Sequence, residues 1–445
     1  MYWKLSRLGA YLLALALTLT ACAGTPAASS QPDGSSAGSG PGQPALPVIA
    51  PEPEPEPEPP EPGPVLTQED VDGALAQVME RYKAAGVTVA TVERGQLSQA
   101  GAWGWAVKNE REMTPDTKIR IASISKVVVA MCALAMAEDG LLDLDAPLST
   151  YWGAKAVNPY SSSQPTVQDL MTHTSSLKNL DPVRGLSRLR GLLNSRSSWR
   201  TMEPGNGGYW AYSNFGVSVL GTTLELAAQQ TLDDYLQKRF LEPMDIRASF
   251  LGGRLEENEV ATLYTTGGIG RTAAAHAGQS VPTEIGGASL YFAGGYTTSA
   301  VDMAKLVSVL VNDGVYKEPG YTCAAVSEDA FAITQDGFAE TRFLSEASVE
   351  NMETPRFTVN LADYASFEQC LILRRQEDVL GQDVLYYHTG SAYGVFSLMT
   401  YNPETQNGVV VITTGASRNM NEHGMYALCY DLMELLYEKM EGSPV

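Results

Sequence analysis

The sequence predicts an α/β protein of the α+β type: an antiparallel β-sheet flanked by helices, with a mostly helical subdomain inserted into it. Three observations carry this expectation. Strand-like segments lie near both ends of the chain, at 87–92 and at 384–387, 396–401 and 408–414. Amphipathic helical patterns at 68–85 and 426–440 flank them, and the residues between are dominated by helical apolar runs. Strands from distant segments around a helical middle build one sheet closed by both ends of the chain.

In chain order, the first helix leads into Val87-Thr88-Val89-Ala90-Thr91-Val92, and a turn at Gly95 makes a strand pair the natural continuation. Ser123-Ile124-Ser125-Lys126 precedes VVVAMCALAMAEDG, an unbroken apolar helix that stops near Gly140. Tyr212-Ser213-Asn214 opens a second apolar helix. Val384 to Tyr387 reads as a strand running into His388-Thr389-Gly390. The folded domain is assigned to 66–445, with its α/β part at about 66–145 and 285–445 and its helical part at about 146–284.

Residues 1–22 read as an export signal: Lys4 and Arg7 precede an apolar run from Leu8 to Leu19 that is too short to span a bilayer comfortably. Leu19-Thr20-Ala21-Cys22 resembles the lipobox of bacterial lipoproteins, which implies lipidation of Cys22 and anchoring to the outside of the cell membrane. Residues 23–65 are rich in Ala, Ser, Gly, Pro and Glu, and PEPEPEPEPPEPGP cannot build a core. This stretch is a tether, and its proline-rich part spans about 43 Å at ~3.1 Å per residue.

A hydrophobic content of 44% over 445 residues supports a sizeable core. The formal charge of -21, with no run of Lys and Arg, argues against nucleic acid as a partner. Cys132 and Cys429 fall in apolar helical patterns and read as buried small hydrophobes, while Cys323 and Cys370 can form one bridge in an oxidising compartment. The cysteines are too few and scattered for a zinc site, and no glycine pattern for a nucleotide occurs, so neither metal nor cofactor is expected.

The chemistry lies in Ser123 and Lys126. Residues three apart share a helix face, a serine needs a neighbouring base, and a desolvated lysine has a lowered pKa. The spacing alone is weak, since Ser175-Ser176-Leu177-Lys178 repeats it in a stretch that reads as a loop. What distinguishes Ser123 is the apolar helix behind it, followed by Tyr212-Ser213-Asn214 and His388-Thr389-Gly390.

In order and separation these three motifs resemble those of the serine β-lactamase and penicillin-binding-protein superfamily, in the branch of class C β-lactamases, DD-carboxypeptidases, D-aminopeptidases and serine esterases. Leu170-Met171-Thr172-His173-Thr174-Ser175, Glu242-Pro243-Met244 and Phe292-Ala293-Gly294-Gly295-Tyr296-Thr297-Thr298-Ser299-Ala300 extend the resemblance over most of 68–440. It implies a β-lactamase/DD-peptidase-like fold and an acyl-enzyme on Ser123. Lys126 and Tyr212 would share proton transfer, with the main base left open. Asn214 would orient Lys126 and bind a substrate amide. The backbone N–H groups of Ser123 and Ser391 would form the oxyanion hole, His388 and Thr389 would meet substrate, and Gly390 would let it lie close to the strand.

His388 stands where many β-lactamases have lysine, which shifts the expectation toward D-amino-acid peptides of the cell wall or related amides and esters, with β-lactamase as the alternative. Ser176 replaces the family's usual glycine and is expected to alter a turn, and His173 reads as structural. The segment 318–342 matches nothing in the family pattern. A catalytically silent penicillin-binding or wall-sensing lipoprotein, or a transporter's solute-binding lipoprotein, fits the N-terminus but leaves the three motifs without a purpose.

Overall fold

The computed structural model describes residues 68–318, 340–361 and 366–441, all within the unit Glu61–Val445. Cys22, Cys323 and the tether lie outside the described residues. The first helix, α1 (Gln68–Tyr82), leads into β1 (Gly86–Glu93), which turns at Arg94 and Gly95 into β2 (Gln96–Val107) and then β3 (Arg111–Glu112). The C-terminal part supplies six strands: β4 (Phe357–Asn360), β5 (Ser366–Gln369), β6 (Arg374–Val379), β7 (Gln382–Ala392), β8 (Val395–Asn402) and β9 (Asn407–Thr414). They form one antiparallel sheet of order β4-β5-β6-β7-β8-β9-β1-β2-β3, in which the two chain ends meet as Val87 pairs with Thr413 and Val89 with Val411.

Both faces of this sheet are covered, so β9 reads as a continuous apolar run instead of an alternating one. Val409 and Val411 face α1 and the closing helix α5 (Ala427–Glu441), packing with Leu75, Leu432 and Leu436. Val410 and Ile412 face the other way, onto a core shared with α2 (Ser125–Glu138), α3 (Asn214–Ala228) and α4 (Ala300–Val311). The α2 helix is buried from Ser125 to Met136, as expected of a helix apolar on all sides. Fully burying one of its larger aliphatic side chains contributes about 1.5–3 kcal/mol, which is the reservoir that holds a lysine inside the same helix.

The expected fold class is observed. The strands β4, β5 and β6 lie beyond the expected ones: β4 is only four residues long, and charged residues at Glu368, Arg374, Arg375 and Glu377 hide the apolar positions of β5 and β6. Between 146 and 284 the regular elements are helices and short helical turns joined by long loops, with one hairpin, Leu263–Thr265 with Gly268–Arg271. The segment 318–342 falls mostly outside the described residues, but its ends meet as Val315–Lys317 pairs with Glu340–Arg342. Cys132, Cys370 and Cys429 are buried free thiols, and Cys370 donates to the Glu353 carbonyl at 3.0 Å.

Candidate active site

The expected nucleophile sits on a short 3-10 turn, Ala122–Ile124, that runs directly into α2. Ala122 has φ +51, a left-handed conformation that costs an alanine roughly 1–2 kcal/mol and that the surroundings must impose. They do so through Ser125, the second serine of the motif. Its hydroxyl donates to the Ala122 carbonyl at 2.6 Å and accepts the Tyr296 N–H at 3.0 Å. Ser397 of β8 donates to the Ile121 carbonyl at 2.8 Å, and Ile121 N–H reaches the Tyr296 carbonyl at 2.9 Å.

Ser123 Oγ then meets two groups. Lys126 Nζ donates to it at 3.0 Å and the Tyr212 hydroxyl donates to it at 2.9 Å. Lys126 is fully buried and also donates to the Ala293 carbonyl at 2.5 Å, while its ammonium lies 5.0 Å from the centre of the Tyr212 ring. Burial pushes the Lys126 pKa below 10.5, against the pull of Tyr212. For Tyr212 burial alone would raise the pKa, but the Lys126 charge, its hydrogen bonds and the more distant Arg374 charge bring it below 10.0.

Tyr212 is held by its neighbours. The His173 ring lies 4.6 Å away and the Trp210 ring 6.4 Å away. His173 adopts φ +59 and its Nδ1 accepts the Ser213 N–H at 3.4 Å, leaving the proton on a buried Nε2 that has no partner among the described residues. Burial, with the Lys126 and Arg374 charges, pushes its pKa well below 6.5, so it packs as a neutral ring. Ser213 caps α3 by accepting the Gly216 N–H at 2.9 Å, which fixes where Tyr212 leaves the loop.

Ser123, Tyr212, Asn214, Thr389 and Ser391 line one cleft of about 570 Å³, together with Trp210, Arg374, Arg418 and Tyr426. Among the described residues no group of three or more His, Cys, Asp or Glu side chains comes within metal-binding reach. A larger hollow of about 900 Å³ beside Tyr264 and Ile269 holds no serine and base together.

Three expected roles are placed differently. Lys126 gives its second hydrogen bond to the backbone carbonyl of Ala293, within the Phe292–Ala300 stretch, and not to Asn214. His388 does not line the cleft. Successive residues of a strand face opposite sides, so Thr389 and Ser391 face the opening while His388 turns inward, 1% exposed, its Nδ1 donating to the Thr389 carbonyl at 2.8 Å. Burial and the Arg374 and Lys126 charges push its pKa well below 6.5, so it carries no charge for a substrate near neutrality. At Gly390 the close neighbour is the protein itself: an added Cβ would lie 2.4 Å from the Ile121 carbonyl oxygen and 3.2 Å from Ser123 N.

The second Ser-x-x-Lys is a loop, with Ser175 buried and Lys178 exposed and bonded to the Ser197 carbonyl. Ser176 stands at φ +60, a conformation glycine adopts freely, and accepts from Asn158 at 2.8 Å. Neither Arg374 nor Trp210 stands out as a site residue in the sequence. Their only signal is that Trp210 adjoins the Tyr212 motif, whereas Arg374 reaches the site by strand pairing.

The Beta-lactamase family model matches residues 71–430. A D-aminopeptidase of Brucella anthropi is 27% identical over 198 residues, covering 41% of this chain and 35% of that protein. Esterase EstB of Burkholderia gladioli is 26% identical over 203 residues, covering 40% of this chain and 50% of that protein. The chain thus matches half or less of the length of these relatives. A solved structure of a beta-lactamase/D-alanine carboxypeptidase from Pseudomonas syringae superposes with a TM-score of 0.58 at 16% identity, over 84% of this chain and 98% of that one. A class C beta-lactamase from Rhodobacter sphaeroides gives 0.57 at 20% identity, over 83% and 97%. The likeness to these structures is one of fold, and with a match that runs from the first helix to the last, the chain belongs to the Beta-lactamase family.

Proposed function

We propose that this chain is a serine hydrolase that works through an acyl-enzyme on Ser123, acting on D-amino-acid-containing peptides or related amides and esters at the cell envelope. One observation carries the reading: a single serine oxygen lies within hydrogen-bond reach of both a buried lysine and a half-buried tyrosine. In the resting pattern both groups point hydrogens at Ser123 Oγ. Loss of the phenolic proton reverses the Tyr212 bond, so the serine donates to the phenolate while the Lys126 cation stabilises it.

Attack by Oγ on a carbonyl carbon then forms a tetrahedral oxyanion, for which the motif resemblance assigns the Ser123 and Ser391 N–H groups. The proton taken by Tyr212, or relayed through Lys126, goes to the leaving nitrogen or oxygen. Water attacks the resulting ester, and its proton returns along the same route. The names of the relatives, D-aminopeptidase and esterase, agree with amide and ester substrates. The inward-facing neutral His388 supports peptides and esters over a dedicated β-lactamase. The lipobox-like Leu19-Thr20-Ala21-Cys22 supports a lipid-anchored, extracytoplasmic location near peptidoglycan.

The test is labelling with a fluorophosphonate probe and a fluorescent penicillin, beside a panel of D-Ala-D-Ala peptides, D-amino-acid amides, short esters and a cephalosporin. Labelling abolished in Ser123→Ala is expected. A folded wild type that takes neither probe overturns the enzyme reading, and turnover of the cephalosporin alone overturns the substrate class.

A further inference from the structure

Arg120 stands three residues before Ser123, as Lys126 stands three after it. Both cations reach the same stretch of chain and take consecutive carbonyls. Lys126 Nζ donates to Ala293 at 2.5 Å, and Arg120 Nε donates to Gly294 at 2.5 Å. Two further bonds join the same stretches, from Ile121 N–H to the Tyr296 carbonyl at 2.9 Å and from Tyr296 N–H to the Ser125 hydroxyl at 3.0 Å. Among the described residues the Gly294 carbonyl accepts from Arg120 alone.

The guanidinium is not there for an ion pair. No carboxylate pairs with Arg120 among the described residues. It lies 5.0 Å from the centre of the Tyr393 ring, in the turn after β7, and burial pushes its pKa down against the pull of Tyr393. A half-buried cation without an acid is costly, so its bond to Gly294 needs a use that offsets the cost. The use is mechanical. At Gly294 an added Cβ would lie 3.5 Å from the Ala122 carbonyl carbon, so the two backbones are in contact. A shift of the Gly294 peptide would move the carbonyl under Lys126 and press on Ala122, the φ +51 residue beside Ser123.

We propose that Arg120 is a positioning residue for the proton-transfer pair: its Nε–H bond to Gly294 fixes the Ala293 carbonyl, and that carbonyl fixes the Lys126 ammonium under Ser123. This rests on the hydrolase reading of Ser123, but the state of the lysine is measurable without turnover. The titratable and charged groups that act on Lys126 are Tyr212 and Arg374, and the Lys126 charge in turn acts on His173 and His388. The groups acting on Arg120 are Tyr393, Arg271 and Tyr291, so a change at Arg120 leaves the lysine's own partners in place.

The experiment uses three variants that differ at one atom. Glutamine puts its amide nitrogen where arginine has Nε, methionine puts a methyl group there, and lysine puts a methylene there with its charge one atom further on. Two readouts are taken on the full chain: fluorophosphonate labelling of Ser123 across pH, and an NMR titration of the Lys126 ammonium nitrogen, assigned with Lys126→Met. Arg120→Met is expected to slow labelling roughly tenfold to a hundredfold, the effect of a small misplacement of a reacting group. The Lys126 midpoint should fall by about one pH unit, because a loosened carbonyl favours the charged form less. The falling limb of labelling moves to lower pH with it. Arg120→Lys behaves as the methionine variant does, and Arg120→Gln stays near wild type in both readouts.

A methionine variant that melts lower but keeps the labelling rate, the limb and the midpoint overturns the proposal, since Arg120 is then structural only. A glutamine variant as impaired as the methionine one overturns it as well, and so does rescue by lysine, which would make charge the cause. Should Arg120→Met not fold, the lysine variant takes its place. A lowered midpoint with no labelling of wild type leaves the positioning role standing and removes the nucleophile. Labelling of wild type with an unchanged midpoint does the reverse.

Discussion

Lys126 is fastened to Ala293: its ammonium donates to that carbonyl at 2.5 Å while it donates to Ser123 Oγ at 3.0 Å. A lysine inside an apolar helix is costly unless its hydrogens are used, and a backbone carbonyl cannot move away as a side chain can. Ala293 is itself brought to the site by the pairing of Ile119–Arg120 with Thr297–Thr298. The lysine therefore has one fixed position, under the serine.

Tyr212→Phe removes the phenolic oxygen 2.9 Å from Ser123 and keeps the ring against His173 and Trp210. The acylation rate is expected to fall by about 10²–10⁴-fold, the usual worth of a positioned proton acceptor, with an unchanged melting temperature. Stopped-flow acylation and a thermal melt check this. A rate within tenfold of wild type would remove Tyr212 from the proton path.

The pH profile follows from the same pair. Tyr212 ionises below 10.0 because the Lys126 charge and the hydrogen bonds outweigh burial, and Lys126 deprotonates below 10.5 because burial outweighs Tyr212. Acylation is expected to rise with pH as the phenolate forms and to fall once the lysine loses its proton, with both limbs belonging to the coupled pair. Lys126→Met removes the cation that lowers the phenol, so any residual activity should shift its rising limb to higher pH. Fluorophosphonate labelling across pH measures both. A limb at the same pH in the variant would mean that Lys126 does not tune Tyr212.

Much of this was legible in the sequence. The long helices and the strands at the chain ends were readable because each buries an apolar stripe or run, and Ser123, Lys126 and Tyr212 come together as their motifs implied. What was not legible depends on pairing across the chain. Arg374 is one more charged residue until β6 lies against β7, and the carbonyl of Ala293 carries no side-chain signal at all. The chemistry of His388 is plain from the sequence, whereas its position on the strand decides which way it faces.

Gly390→Ala is expected to injure the nucleophile's turn. The new methyl carbon would lie 2.4 Å from the Ile121 carbonyl oxygen, which Ser397 holds at 2.8 Å, so neither backbone can retreat freely. Overpacking of this kind costs about 1–3 kcal/mol. A lowered melting temperature together with slower labelling of Ser123 is the expected result. A variant that melts and labels like wild type would mean the strand approaches the turn less closely.

Stability should fall as pH rises through the acid-to-neutral range, and Glu225 is the group to blame. Its carboxylate is fully buried on α3, accepts the N–H groups of Gly286 at 2.7 Å and Leu232 at 3.2 Å, and has its pKa pushed by burial from 4.5 up to about 7. Between these two values the folded chain binds a proton that the unfolded chain has already lost. Stability contributed by the protonated form is therefore complete below about pH 4.5 and is lost progressively up to about pH 7. The difference amounts to about 3 kcal/mol at most, from ~1.36 kcal/mol per pKa unit. Glu225→Gln keeps an acceptor for the Gly286 N–H and cannot ionise. Denaturant unfolding at pH 5, 6, 7 and 8 should give a shallower decline for the variant than for wild type. Parallel declines would assign the pH dependence to other buried acids, of which Glu353, also pushed up to about 7, is the first to test.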